Sequence, residues 1–174
     1  MRRRLALALA TCIALSACAP TFDWRDSRPE GSRARLMFPC RPASHARSVA
    51  LAATTVEMRM VACSAGDTVF ALTFADLKDP ARVGMALDEL GLALRSHLHS
   101  PEGAASQAVA VPGMTPNPLA VQWTLTGQLP DGRTVQERAA LFSYGTVVYQ
   151  ATMLGPRLDA EAQDTFFGAL RVGP

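Results

Sequence analysis

The chain has 174 residues, with 17 Lys and Arg against 15 Asp and Glu and a formal net charge of +2. Three of those basic residues are Arg2, Arg3 and Arg4; without the first 17 residues the balance is 14 basic against 15 acidic, a net charge of about −1. Such a chain lacks the clustered basic face of a nucleic-acid binder, and its length is that of one domain.

Behind the N-terminal arginines runs an uncharged apolar stretch from Leu5 to Leu15. A helix crossing a membrane needs about 20 apolar residues, so this run reads as the h-region of a signal peptide. Leu15-Ser16-Ala17-Cys18 follows and resembles the lipobox of bacterial lipoproteins. The resemblance implies cleavage before Cys18 and a lipid on its thiol, each buried methylene adding about 0.8 kcal/mol of membrane affinity. Ala19, where an aspartate would resemble an inner-membrane retention signal, points to the outer membrane and its periplasmic face.

The expected organisation is therefore a signal peptide over 1–17, a lipidated tether over 18–32 and one globular domain over 33–174. The tether reading rests on Asp23, Arg25, Asp26, Arg28, Pro29, Glu30 and Gly31, a polar run without apolar periodicity. With Cys12 in the leader and Cys18 lipidated, Cys40 and Cys63 remain. In an oxidising compartment they are expected to pair; the alternative is two free, buried thiols. Neither has a second ligand at zinc spacing, so no metal is expected.

A strand over Arg35–Phe38 ends at Pro39, and a small apolar segment from Ser48 to Ala53 reads as the next strand. In Thr55–Cys63, Val56, Met58, Met60 and Ala62 alternate with Thr55, Glu57, Arg59 and Val61, the period of a half-buried strand. Ser64-Ala65-Gly66-Asp67 turns the chain, and Thr68–Phe74 returns with Phe70, Leu72 and Phe74 on one face. Asp79-Pro80 opens a helix whose apolar residues, Val83 to Leu98, recur at helical spacing. A loop rich in proline and glycine from Ser100 to Pro118 carries a short strand around Gln107–Val111. Val121, Trp123 and Leu125 then alternate with polar neighbours up to the turn Pro130-Asp131-Gly132; Thr134–Tyr144 and Val147–Met153 complete a meander with one dry face. Asp159 caps a last helix in which Ala162, Phe166 and Leu170 share a face.

Strands, a helix, a meander and a final helix predict an α+β fold, an antiparallel β-sheet covered by helices. Leu36-Met37-Phe38-Pro39, the helix after Phe74, the meander around Pro130-Asp131-Gly132-Arg133 and the closing Thr165-Phe166-Phe167-Gly168-Ala169-Leu170 resemble bacterial members of the PsbP-like superfamily. That superfamily includes the photosystem II extrinsic protein and the Ran-release factor; the resemblance implies an α/β/α sandwich and a binding or assembly role, without naming what is bound.

No catalytic constellation is expected. His97 and His99 lie two apart on a helix, so their side chains diverge, and His45 is distant in sequence. Glu57, Arg59, Glu137 and Arg138 are candidates for cross-strand ion pairs, with Glu137 and Arg138 on opposite faces. Met58, Met60 and Met85 read as core filling, with an adaptable binding groove as the alternative. The favoured function is a non-enzymatic lipoprotein, anchored to the outer membrane, without cofactor, that binds a protein partner in the envelope. The second reading is a carrier or sensor of a small apolar or lipid ligand in a groove between sheet and helix, shaped by the Ser100–Pro118 loop.

Overall fold

The computed structural model describes residues 21–98 and 105–174. The leader, Cys18 and His99 lie outside the described residues.

The fold is α+β, mostly antiparallel sheet with two helices. Three strands, β1 (Arg25–Ser27), β2 (Ala34–Phe38) and the C-terminal β10 (Arg171–Val172), form a small sheet in the order β1-β2-β10. The larger sheet has seven strands: β3 (Ala43–Leu51), β4 (Thr54–Ala65), β5 (Thr68–Asp76), β6 (Ala105–Ala108), β7 (Val121–Gln128), β8 (Thr134–Tyr144) and β9 (Val147–Gly155). Their order is β3-β4-β5-β9-β8-β7-β6, antiparallel throughout.

The middle of this sheet is dry on both faces, not one. In β8 the run Ala139-Ala140-Leu141-Phe142-Ser143 is buried without interruption, the pattern of a strand covered from both sides. One cover is the helix α1 (Val83–Ser96), whose Val83, Ala86 and Leu87 pack with Leu51, Val56, Ala75, Leu141 and Val148. The other cover is the small sheet with the helix α2 (Ala160–Gly168): Leu36, Phe38, Phe166 and Val172 meet Phe70, Leu72, Phe142, Tyr149 and Met153. Both helical segments start where an aspartate accepts a backbone N–H, Asp159 from Ala162 and Asp79 from Ala81 in the 3-10 turn Pro80–Arg82 that leads into α1.

The segment read as a tether differs from that expectation. β1 pairs with β2, and Phe22 and Trp24 each meet Phe70 edge-on at 6.0 Å. Two aromatic rings can bury large areas from a segment with no periodic pattern, so the packed body begins before residue 33. The disulfide between Cys40 and Cys63 is present. It ties the end of β2 to β4, fastening the small sheet to the large one, and a loop of this length is worth about 3 kcal/mol in the chain-entropy model.

β4 also departs from strict alternation. Val61 is buried among the residues under α2, whereas Met60 is 41% exposed and Met85 on α1 is 51% exposed. Only Met58 of the three methionines packs against a buried cluster.

The segment Ser48–Ala53 does not run straight as one strand. β3 ends at Leu51, and Ala52 and Ala53 form a two-residue turn with φ of 50° and 55°. Hairpin turns with two positive φ values normally carry Asn-Gly or Asp-Gly; here two alanines are held by α1 and its leading turn. The Ala52 N–H donates to Glu89 Oε2 at 2.8 Å, and the Ala52 carbonyl accepts from Arg82 Nη1 at 2.7 Å. Left-handed backbone costs a non-glycine residue roughly 1–2 kcal/mol. Ala53→Gly is therefore expected to stabilise the protein by about 0.5–1 kcal/mol after the extra chain entropy of glycine. Glu89→Ala, which strips a buried N–H of its partner, should cost about 1–3 kcal/mol. Denaturant midpoints of the two variants check both signs.

Candidate functional site

Glu137 and Arg138 are neighbours on β8, so the strand sends their side chains to opposite faces of a sheet that is covered on both. Neither forms the carboxylate–guanidinium pair expected from the sequence. The Glu57–Arg59 pair does form, at 2.7 Å, but between residues two apart on one strand.

Glu137 faces the α1 side, where Leu94, Leu98, Leu125, Val135 and Ala139 form an apolar pocket. It is 3% exposed. His97 follows the last turn of α1; its Nδ1 lies 2.6 Å from the Leu94 carbonyl, and its Nε2 lies 3.0 Å from Glu137 Oε2 without hydrogen-bond geometry. Burial pushes the Glu137 carboxyl up to about 8. A protonated carboxyl needs no counter-charge, which is how an apolar pocket tolerates this residue.

Arg138 faces the α2 side and cannot neutralise itself in the same way, because guanidinium stays protonated in proteins. Its Nη1 donates to Gln163 Oε1 of α2 at 3.2 Å and its Nη2 to Gln122 Oε1 of β7 at 3.0 Å. The guanidinium carbon sits 4.6 Å from the centre of the Phe167 ring. Its Nε is buried without a partner, and burial lowers the guanidinium's affinity for its proton, partly offset by the charge of Asp164. Among the described residues no carboxylate lies within 4.0 Å of Arg138.

These groups line a cleft of about 350 Å³ between the large sheet and α2. Its third wall is the chain leaving β6, Val109 to Val111, held in place by the close approach of Gly113 to β10. Gly113 has φ of +84°, and a Cβ there would lie 1.9 Å from the Val172 carbonyl oxygen. Val109, Ala110 and Phe167 supply its accessible apolar surface, over the buried Val111, Ala140 and Leu170, and Gln107 and Asp164 line it as well. The cleft thus offers the Arg138 guanidinium, the Asp164 carboxylate, the amides of Gln107, Gln122 and Gln163 and an apolar part, at the small end of the range of ligand pockets, roughly 300–1,000 Å³.

The sequence singled out Cys40 and Cys63, which the structure joins. It placed Glu137 and Arg138 on opposite faces, as observed, but treated them as surface charges. Glu137 shares strand parity with Ala139 and Leu141, and Arg138 with Ala140 and Phe142; that parity was the available signal of burial. No protein-family model matches the chain, and no curated protein matches it.

The buried carboxyl has a measurable consequence. Its folded value of about 8 lies above the ordinary 4.5, so between those pH values the folded protein holds a proton that the unfolded chain has released. Stability therefore falls as pH rises through this window. The depressed carboxyls Asp26 and Asp131 act below it. The melting temperature of the wild type should be higher at pH 5 than at pH 8.5, and Glu137→Gln should flatten that slope. Parallel profiles for the two proteins would contradict the assignment.

Proposed function

We propose that the chain is a lipid-anchored envelope protein, cleaved before Cys18 and held at the periplasmic face of the outer membrane, whose domain binds its partner without converting it. The leader Arg2-Arg3-Arg4, the apolar run and Leu15-Ser16-Ala17-Cys18 support the anchor, and the Cys40–Cys63 disulfide fits an oxidising compartment. A sheet with α1 over one face and α2 over the other fits a PsbP-like sandwich.

Of the two binding readings, the carrier of a small amphiphilic ligand has the firmer footing, and one observation carries it. Arg138 is a partly buried cation with no carboxylate within 4.0 Å among the described residues, in a cleft that it lines with three glutamines, the exposed Asp164 and several apolar residues. A carboxylate on an apolar body would give its guanidinium a charge-assisted partner while covering the half-buried Val109 and Phe167 and the exposed Ala110. A guanidinium and three amides hold a charge but do not exchange protons near neutral pH, which suits binding better than catalysis.

The protein-partner reading draws on β3. This edge strand has six consecutive exposed residues, Ala43 to Ser48, and its outer backbone is open to a further strand.

The test is calorimetric titration with octanoate and with octanol, which share a chain and differ in charge. Octanoate should bind at least tenfold more tightly than octanol, and Arg138→Gln should weaken octanoate by roughly 10- to 100-fold. Equal affinities, or an unaffected variant, would remove the carrier reading and leave the edge strand as the better candidate.

A further inference from the structure

A second cavity, of about 300 Å³, lies against the small sheet and shares no lining residue with the Arg138 cleft. Arg28, Arg33, Arg35 and Arg171 all line it, together with Ser32. The register of the small sheet is the cause of this crowding: β10 pairs with β2 so that Arg171 stands directly opposite Arg35. Like charges facing each other across an antiparallel pair are destabilising.

Among the described residues one side-chain carboxylate lies within 4.0 Å of these guanidiniums. Asp26 of β1 accepts from Arg35 Nε at 2.7 and 2.9 Å and from Arg35 Nη2 at 2.6 Å, a fork-to-carboxylate pair. Arg28 and Arg171 lie close enough to hold the Asp26 carboxyl further below its usual range. Arg28, Arg33 and Arg171 have no carboxylate within 4.0 Å among the described residues. The frame around them is fixed: the Arg33 N–H donates to the buried Tyr149 hydroxyl at 3.2 Å, and the Arg33 carbonyl accepts from Gly173 N–H at 3.1 Å. Ser32 Oγ accepts from Ala34 N–H at 3.1 Å, which leaves its own O–H to donate.

Asp26 offsets part of this crowding, but Arg28, Arg33 and Arg171 are exposed residues without a carboxylate of their own within 4.0 Å among the described residues, and an anion with several acceptor oxygens would meet all three. We propose that this cavity binds a phosphate group, with Arg28, Arg33 and Arg171 as its cationic partners, Ser32 as a neutral donor and Arg35 fixed beside them by Asp26. Guanidinium forks match phosphate oxygens two at a time, which single ammonium groups do not. The phosphate can come from a free phosphate compound or from a phospholipid headgroup, and the chemistry of recognition is the same.

The full chain and its Arg28→Gln/Arg171→Gln variant are compared in two arms, so that any contribution of the N-terminal segment is common to both proteins. In the first, melting temperature is followed with inorganic phosphate against chloride at matched ionic strength. In the second, sedimentation with phosphatidylglycerol vesicles is compared with phosphatidylcholine vesicles. Removing two like charges should leave the variant at least as stable as the wild type in chloride, which separates lost binding from lost folding. A phosphate-specific rise in melting temperature that the variant lacks supports a free phosphate ligand. No such rise, but phosphatidylglycerol binding weakened at least tenfold in the variant, supports a lipid headgroup. Wild type and variant alike in both arms, or a variant that melts below the wild type in chloride, overturns the proposal; neither result bears on the Arg138 cleft.

Discussion

The large sheet buries both faces of its central strands, and the remaining architecture follows from that constraint. Phe70, Leu72 and Phe74 of β5 face one cover, and Ala75 faces the other. A sheet dry on both sides needs two layers, and the chain supplies them from separate stretches: α1 from the crossover between β5 and β6, and the small sheet with α2 from its two ends. The disulfide joins the second layer to the sheet at a point where β2 has just ended.

The same constraint decides the fate of the charges on β8. Glu137 and Arg138 are separated by one peptide bond, yet each lies beneath a different cover. The carboxyl meets its surroundings by keeping its proton, so its pocket closes over it. The guanidinium keeps its charge, so its side of the sheet stays partly open, lined by amides and an aromatic face rather than by aliphatic chains alone. The cleft is where covering the sheet stops short of covering a permanent cation.

What could be read from the sequence was local. The bounds of β8, Thr134–Tyr144, follow from its flanking turns, and the aspartate caps at Asp79 and Asp159 follow from side-chain chemistry within three residues. The α+β order and the Cys40–Cys63 pair were equally accessible. What escaped was long-range. The turn at Ala52-Ala53 has no turn residues and depends on Glu89 and Arg82, more than 29 positions away in both cases. Phe22 and Trp24 join the core without any periodicity to announce them. The burial of Glu137 and Arg138 depends on two covers whose positions no local pattern encodes, although strand parity with Leu141 and Phe142 pointed inward.

The central claim is that the Arg138 cleft holds an amphiphilic anion. Its most direct test is native mass spectrometry of the full chain isolated from cells without denaturation, wild type beside Arg138→Gln. The account predicts a small acidic amphiphile at about one per chain, released on unfolding and missing from the variant. A wild-type chain that carries nothing, or a ligand retained equally by both proteins, would contradict it.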